Sequence, residues 1–463
     1  MSEPSKITGT GSVAAIAVRA GAIALTLSTF VACNPDTAPG GGDGDGGGGG
    51  SAPVNECKAP AGPGVEHSGT IAADETWRAE DGPHIVTFGI DVADGAKLTI
   101  EPCAQVRVRA GYSIVVEGSL VAEGTATRPI ELVADDPAQP WGFLQVFAPG
   151  TMSLAYASID DAGGEPTNAY AAIEARGDQL LPAQEVLHVD HVTVNRSSSY
   201  GVSLRAGGAF TKDSHDLVVT GSKKAPLRIL PRLASNVPTG TYTGNALDAI
   251  VVETESYGDV TLEDVTLHDR GVPYRIGGEV TMGGFVVRGE SAPVTLTIEP
   301  GVVMSFVESD AAWLEIDNGT AGAALVAAGT ADEPIVFTSA SATPAAGDWV
   351  GVVFDGVPDP KSVLDHVEIR FAGGPSYADS HHCEPDGKFS IDENAAVSFY
   401  GQPATQLVTN TLVSDSGRIG INLAYDGSFV DFAPGNEFVN VPGCKVSWPR
   451  NPDGSCPASS PCP

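Results

Sequence analysis

The sequence predicts an all-β solenoid, a stack of β-coils made of two related halves, and three observations carry that prediction. The first is a long internal repeat. Leu98-Thr99-Ile100-Glu101-Pro102 returns as Leu296-Thr297-Ile298-Glu299-Pro300, and residues 120–130 (LVAEGTATRPI) return as 325–335 (LVAAGTADEPI). Trp141-Gly142, with apolar alternation up to Gly163-Gly164, returns as Trp349-Val350-Gly351 and ends at Gly373-Gly374. The offset between copies grows from 198 through 205 to 210, as a shared scaffold with loops of different length requires. The second observation is the period: Leu98 to Leu120 and Leu120 to Gly142 are each 22 residues, room for three short strands and three turns. The third is alternation, as in Leu98-Thr99-Ile100, Val106-Arg107-Val108 and Ile130-Glu131-Leu132, with apolar residues on one face only. Such a coil cannot bury its apolar face alone, so neighbours stack around one interior. Some 14–17 coils with strands about 4.8 Å apart would make a rod roughly 65–80 Å long.

Taken in order, residues 1–32 read as a secretory leader: Lys6 and Arg19 precede a small-residue apolar run, Ala20 to Ala32, too short to span a bilayer. Phe30-Val31-Ala32-Cys33 resembles the lipobox of bacterial lipoproteins, with Phe30 where that family usually has Leu. The resemblance implies lipidation of Cys33 and, with Asn34 following, an outer-membrane or cell-surface address. An ordinary signal peptide with an unrelated cysteine is the alternative. Residues 33–56 are then a lipid-anchored linker whose stretch 40–50 (GGGDGDGGGGG) is a flexible tether.

The chain carries 58 acidic against 25 basic residues, a net charge of −33, and removing a leader of net +1 leaves −34. That surface repels nucleic acid and anionic headgroups, so no nucleic-acid partner is expected and the lipid anchor is the only membrane contact. It is compatible with calcium on surface carboxylates, and the charge points to no cofactor beyond that. Setting Cys33 aside leaves six cysteines, an even number for an exported chain. Cys57 and Cys103 flank the first coil and form one expected bridge; Cys383–Cys444 and Cys456–Cys462 are the other two. A zinc site is the competing reading, but the spacings fit no zinc pattern.

The halves of the body are assigned to 57–262 and 263–441, with a Cys/Pro-rich C-terminal cap at 442–463. A shorter unit recurs within them: Leu187 to Val194, Val260 to Leu267, Val363 to Ile369 and Leu154 to Ile159 each bend at a polar pair or Ala-Tyr, then alternate. The Asp and His of these pairs are conceivable acid–base groups; the simpler reading places them outward at coil corners. The order Leu-Thr-Ile-Glu-Pro, Gly-x-Leu-Val-Ala-x-Gly-Thr, x-x-Pro-Ile, Trp-x-Gly resembles the right-handed parallel β-helix repeat of bacterial surface proteins. The resemblance covers about 68–441, with Thr241 to Val252, Gly201 to Leu204 and Gly420 to Leu423 as further coils. It implies a right-handed parallel β-helix and little about function, because its motifs are turn glycines and core positions.

Enzymes on that fold supply tests. Polygalacturonase-like hydrolases carry Asn-x-Asp, Asp-Asp, Gly-His-Gly and Arg-x-Lys; here Asp135-Asp136 and Asp160-Asp161 are present, Gly-His-Gly is absent, and Arg418-Ile419-Gly420 lacks the lysine. Pectate lyase-like enzymes set a basic residue among calcium-binding carboxylates, a pattern the sequence does not display. The copies differ most after their double glycines: six residues separate Gly164 from Ala171, but twenty separate Gly374 from Ala395. The excess brings Asp379, His381, His382, Glu384 and Asp386 together as binding-loop candidates that could hold a metal, or as a plain loop pinned by Cys383. Trp141 and Trp349 occupy equivalent structural places, whereas Trp77, Trp313 and Trp448 are free to stack on sugars. The leading expectation is a non-enzymatic cell-surface lipoprotein, structural, adhesive or carbohydrate-binding, whose partner is a polysaccharide or another surface protein. The alternative is a polysaccharide lyase or glycoside hydrolase working along the solenoid; calcium-dependent surface assembly is a third. Outward carboxylates on consecutive coils with a Lys or Arg beside them favour the enzyme. A flat face of Thr, Ser, Asn and aromatics favours binding.

Overall fold

A computed structural model of the chain describes residues 54–164, 171–179, 181–253, 260–278, 284–308, 312–375, 382–390, 394–457 and 462, all within the compact unit Pro53–Pro463. The leader, Cys33, the glycine tether, Asp379 and His381 lie outside the described residues. No helix among the described residues is long and apolar enough to cross a membrane.

Alternation builds the stack directly. In Lys97–Ile100, Ser119–Glu123 and Thr151–Ala155, Leu98, Leu120 and Met152 stand over one another in a parallel ladder that continues through Leu187 to Phe210. All five are at most 1% exposed, while Thr99, Val121, Ser153 and His188 between them point outward. Each such side chain contributes roughly 1.5–3 kcal/mol by leaving water. Every strand pair among the described residues is parallel except the hairpin His382–Cys383 with Phe389–Ser390.

The longest column runs Ile90, Ile114, Leu144, Ile173, Val202, Leu227, Ile250, Tyr274, Met304, Phe337, Ile369, Val413 without a break. It crosses from one repeat copy into the other, so the halves form a single stack. By the repeat, Met304 corresponds to Val106, yet Val106 belongs to a neighbouring ladder with His84 and Leu132. The second copy therefore enters the stack turned by one side. The junction coil has a short 3-10 helix, Pro231–Asn236, after Leu227–Ile229, and there the chain changes sides.

Corners follow the repeat. Tyr156, His191 and His366 have φ of 45°, 53° and 52°, the left-handed region, so they turn corners; they and the Asp190 and Asp365 before them reach solvent, whereas Ala155 is buried. Cys103 (φ 71°) and Gly301 (φ 80°) hold the equivalent corner in the two copies. Trp141 and Trp349 are fully buried, and each indole donates to a backbone carbonyl, of Asp160 at 2.8 Å and Arg370 at 2.9 Å. Trp77 is buried too, packed against the rings of His67 and His84, which also touch each other, so it cannot stack on a sugar.

Cys57 is bonded to Cys103, but the two distal bridges are Cys383–Cys456 and Cys444–Cys462, not Cys383–Cys444 and Cys456–Cys462. The backbone explains the exchange. Cys383 N–H donates to the Trp448 carbonyl at 3.1 Å, which docks the hairpin on the last strand-like segment. A turn closed by Asn451 N–H on the Ser455 carbonyl then returns Cys456 to Cys383. Peptide mapping of the unreduced chain is expected to recover Cys383 linked to Cys456 and Cys444 linked to Cys462; a Cys383–Cys444 peptide would refute this arrangement.

Candidate functional site

Alternation sends the chain's chemistry outward, and register decides which outward groups meet. On the side built by Leu144–Phe147, Ala171–Arg176, Tyr200–Arg205, Leu227–Ile229, Ile250–Val252 and Tyr274–Ile276, one outward row reads Gln145, Glu174, Ser203, Arg228, Val251, Arg275. Arg176 and Arg205 are register neighbours in the next row. Glu174 is completely buried, and neither of its oxygens has a hydrogen-bond partner among the described residues. Burial pushes its carboxyl above the ordinary value, while Arg205, Arg176 and Arg228 pull it back. The Arg176 Nε lies 3.8 Å from Glu174 Oε1. Arg228 donates to the buried Glu253 at 2.7 Å.

Beside this row the Lys224 ammonium sits 5.0 Å from the centre of the Tyr200 ring. A cleft of about 280 Å³ opens there, lined by Tyr200, Lys223, Lys224, Leu247, Val251 and Arg275. Arg176, Arg205, Lys223, Lys224, Arg228 and Arg275 are six of the chain's 25 cationic residues, on a molecule with 58 acidic ones. This concentration can hold an anion. Glu174 lies buried beneath it, with the Arg176 guanidinium 3.8 Å away.

A second group occupies another side. Arg288, Asp317 and Asp355 are register neighbours on consecutive coils, and Glu315 lies two residues before Asp317 on the same strand, Trp313–Asp317. One oxygen from each of Glu315, Asp317 and Asp355 falls within 4.8 Å of the others. Burial, reinforced by the charges of Asp317 and Asp355, pushes Glu315 up to about 7. Burial and Asp317 likewise raise Asp355. Arg288 Nε is 2.5 Å from Asp317 Oδ2, and its other partner, Glu290, is 3.6 Å away. This is the alignment of carboxylates beside a cation expected of an enzyme. Its cation, however, is held by Asp317, which raises the guanidinium's pKa further and disqualifies it as a base.

Of the three binding-loop candidates among the described residues, His382 and Glu384 meet and Asp386 pairs elsewhere. His382 is buried, with Nε2 3.3 Å from Glu384 Oε1. Arg418 occupies that same oxygen at 2.5 Å, where a metal would have to sit. Asp386 is exposed and paired with Lys388, which lowers its carboxyl. A cleft of about 520 Å³ beside the hairpin is lined by His382, Glu384, Arg418 and three of the bonded cysteines. Cys383 ties the hairpin to Cys456.

Glu174, Arg228, Arg275 and Glu315 escaped sequence reading. Alternation marks each as outward, as in Trp313-Leu314-Glu315-Ile316-Asp317, but not which outward residue of the next coil stands beside it. Glu315 gives a test with a definite sign. Its folded pKa of about 7 lies above the ordinary 4.5, so ionising it costs the folded state progressively as pH rises from about 4.5 to about 7. Glu315→Gln is expected to match the parent chain in stability near pH 4 and to exceed it by about 2–3 kcal/mol at pH 8, read from denaturant midpoints. A difference independent of pH would contradict the assignment.

Against known families, residues 258–362 match the model of a pectate-lyase-like beta helix domain, a stretch that contains Arg288, Glu315, Asp317 and Asp355. No curated protein and no solved structure matches the chain. With its unbroken parallel ladders, its repeated coil motifs and that match, the chain is a parallel β-helix repeat protein.

Proposed function

We propose that this chain is an exported β-helix scaffold, lipid-anchored through Cys33 at the cell surface or outer membrane, that binds an anionic polysaccharide on its cationic side. The observation that carries the reading is a cleft of about 280 Å³ lined by Lys223, Lys224 and Arg275, near the lower size limit of ligand sites, on the side whose ladders also carry Arg176, Arg205 and Arg228. An acidic molecule spending so many of its cations in one place gives that place a distinct partner class. Glu253, paired with Arg228, and Glu174, beside Arg176, offset part of that charge, while carboxylates farther than about 8 Å are screened at physiological salt. A repeat scaffold also suits a polymer, presenting equivalent outward positions coil after coil.

A second reading, glycoside hydrolysis, is favoured by one specific arrangement. Glu315 holds a proton near neutrality, as a general acid must, beside Asp317, which Arg288 keeps in an ion pair. One oxygen of each carboxyl lies within 4.8 Å of the other, and retaining enzymes set their two carboxyl groups roughly 5–5.5 Å apart.

Native gels containing polygalacturonate, alginate or neutral dextran separate these readings. The chain is expected to be retarded by the two acidic polymers and not by dextran, with retardation lost in high salt. Lys223→Glu/Lys224→Glu should weaken binding at least tenfold; equal retardation by dextran, or no effect of the double variant, would refute the cationic side as the site. Release of reducing ends that disappears in Glu315→Gln would replace binding by hydrolysis.

A further inference from the structure

The corner that joins two outward sides carries a group of side chains with no part in the cationic cleft. Asp190 and His191 form one corner, and His215 and Asp216 the corner of the next coil, with Asp190 paired in register to His215. The sequence order is reversed between the coils, Asp-His over His-Asp, so each carboxylate faces an imidazole as well as its own neighbour. His215 Nδ1 lies 3.0 Å from Asp216 Oδ2 and 3.5 Å from Asp190 Oδ1, and His191 Nε2 lies 3.5 Å from Asp216 Oδ2. One donor atom from each of the four residues falls within 4.8 Å of all the others.

Those separations suit one kind of ion. Ligands about 2.0–2.1 Å from a tetrahedral zinc are about 3.3–3.4 Å from one another. Three of the spacings, 3.0, 3.5 and 3.5 Å, bracket that edge, and one donor atom of each residue lies within 4.8 Å of the rest. Two imidazoles with two carboxylates are borderline donors, too few and too nitrogen-rich for calcium, which takes six to eight oxygens. Two carboxylates also neutralise a divalent cation.

The scaffold holds the donors before any ion arrives. His191 and Asp216 occupy left-handed corners, φ 53° and 54°, fixed by ladders on both sides. The His191 ring stacks on Tyr156 of the preceding coil, 4.5 Å away and 12° from parallel. His191 Nδ1 is 2.5 Å from Asp190 Oδ1, a contact that fixes the ring with Nε2 on the side of Asp216. The histidines and Asp216 are about half exposed, which leaves the ion a way in.

We propose that Asp190, His191, His215 and Asp216 form a closed tetrahedral site for a zinc-class divalent cation that clamps two consecutive coils at their corner. Its ligands leave no open position, so the role is structural.

Zinc titration of the untagged chain by calorimetry, with metal content of the dialysed protein, tests this. One strong site is expected, lost in His191→Ala/His215→Ala and unaffected by His366→Ala, a corner histidine elsewhere in the stack. Millimolar calcium should not displace the zinc. Because the double variant could unfold, the unmodified chain is also loaded with cobalt(II), whose visible bands should be the intense ones of tetrahedral coordination. Absence of a one-to-one site, retention of zinc by a folded double variant, displacement by calcium, or the weak spectrum of octahedral cobalt would each overturn the proposal.

Discussion

Register between neighbouring coils is the constraint on which the rest of this structure depends. A coil of some two dozen residues has too little apolar surface to fold alone, and its strands gain an interior only when the next coil repeats their alternation in step. The column from Ile90 to Val413 shows how strictly this is kept: its side chains change from Ile and Leu to Tyr, Met and Phe, yet each remains inside. A slip of one residue would send the column into solvent and bring the charged row inward. Later coils fill their interior with aromatics in place of branched aliphatics, stacking Phe306 on Trp349 at 4.1 Å and Phe399 between Phe354 and Phe432.

The same register creates function-bearing surfaces as a consequence. Residues distant in sequence by one coil become neighbours about 4.8 Å apart, and a row of them can concentrate one kind of chemistry. On one side this gathers guanidiniums around the buried Glu174; on another it lines Arg288, Asp317 and Asp355 along consecutive coils. The buried acid and the surface cations are coupled. Arg176, Arg205 and Arg228 lower the cost of burying Glu174, and its residual charge keeps like charges together that would otherwise repel.

Much of the fold was legible in the sequence because it rests on local signals. Leu98-Thr99-Ile100 alternates, Trp141 and Trp349 recur at matching places, and Tyr156, His191 and His366 mark corners whatever their side chains do. Non-local relations were not legible. The turn of the second copy by one side leaves the internal order of each copy unchanged, so Val106 and Met304 look equivalent although they lie on different ladders. Cys456 reaches Cys383 only because the chain reverses after Trp448. His215-Asp216 lacks the apolar grammar of the repeated corner units, and only register brings it against Asp190-His191. Trp77 looks no different in sequence from a tryptophan at the surface, but it is buried against a pair of histidine rings.

The central claim is that the cationic side around Tyr200 receives an anionic glycan, and amide hydrogen exchange with and without an oligogalacturonate probe addresses it most directly. The account predicts added protection confined to residues 200–205, 223–230, 246–251 and the strand Tyr274–Ile276. Protection centred on Trp313–Asp317 and Gly351–Asp355, or none anywhere at saturating probe, would contradict it.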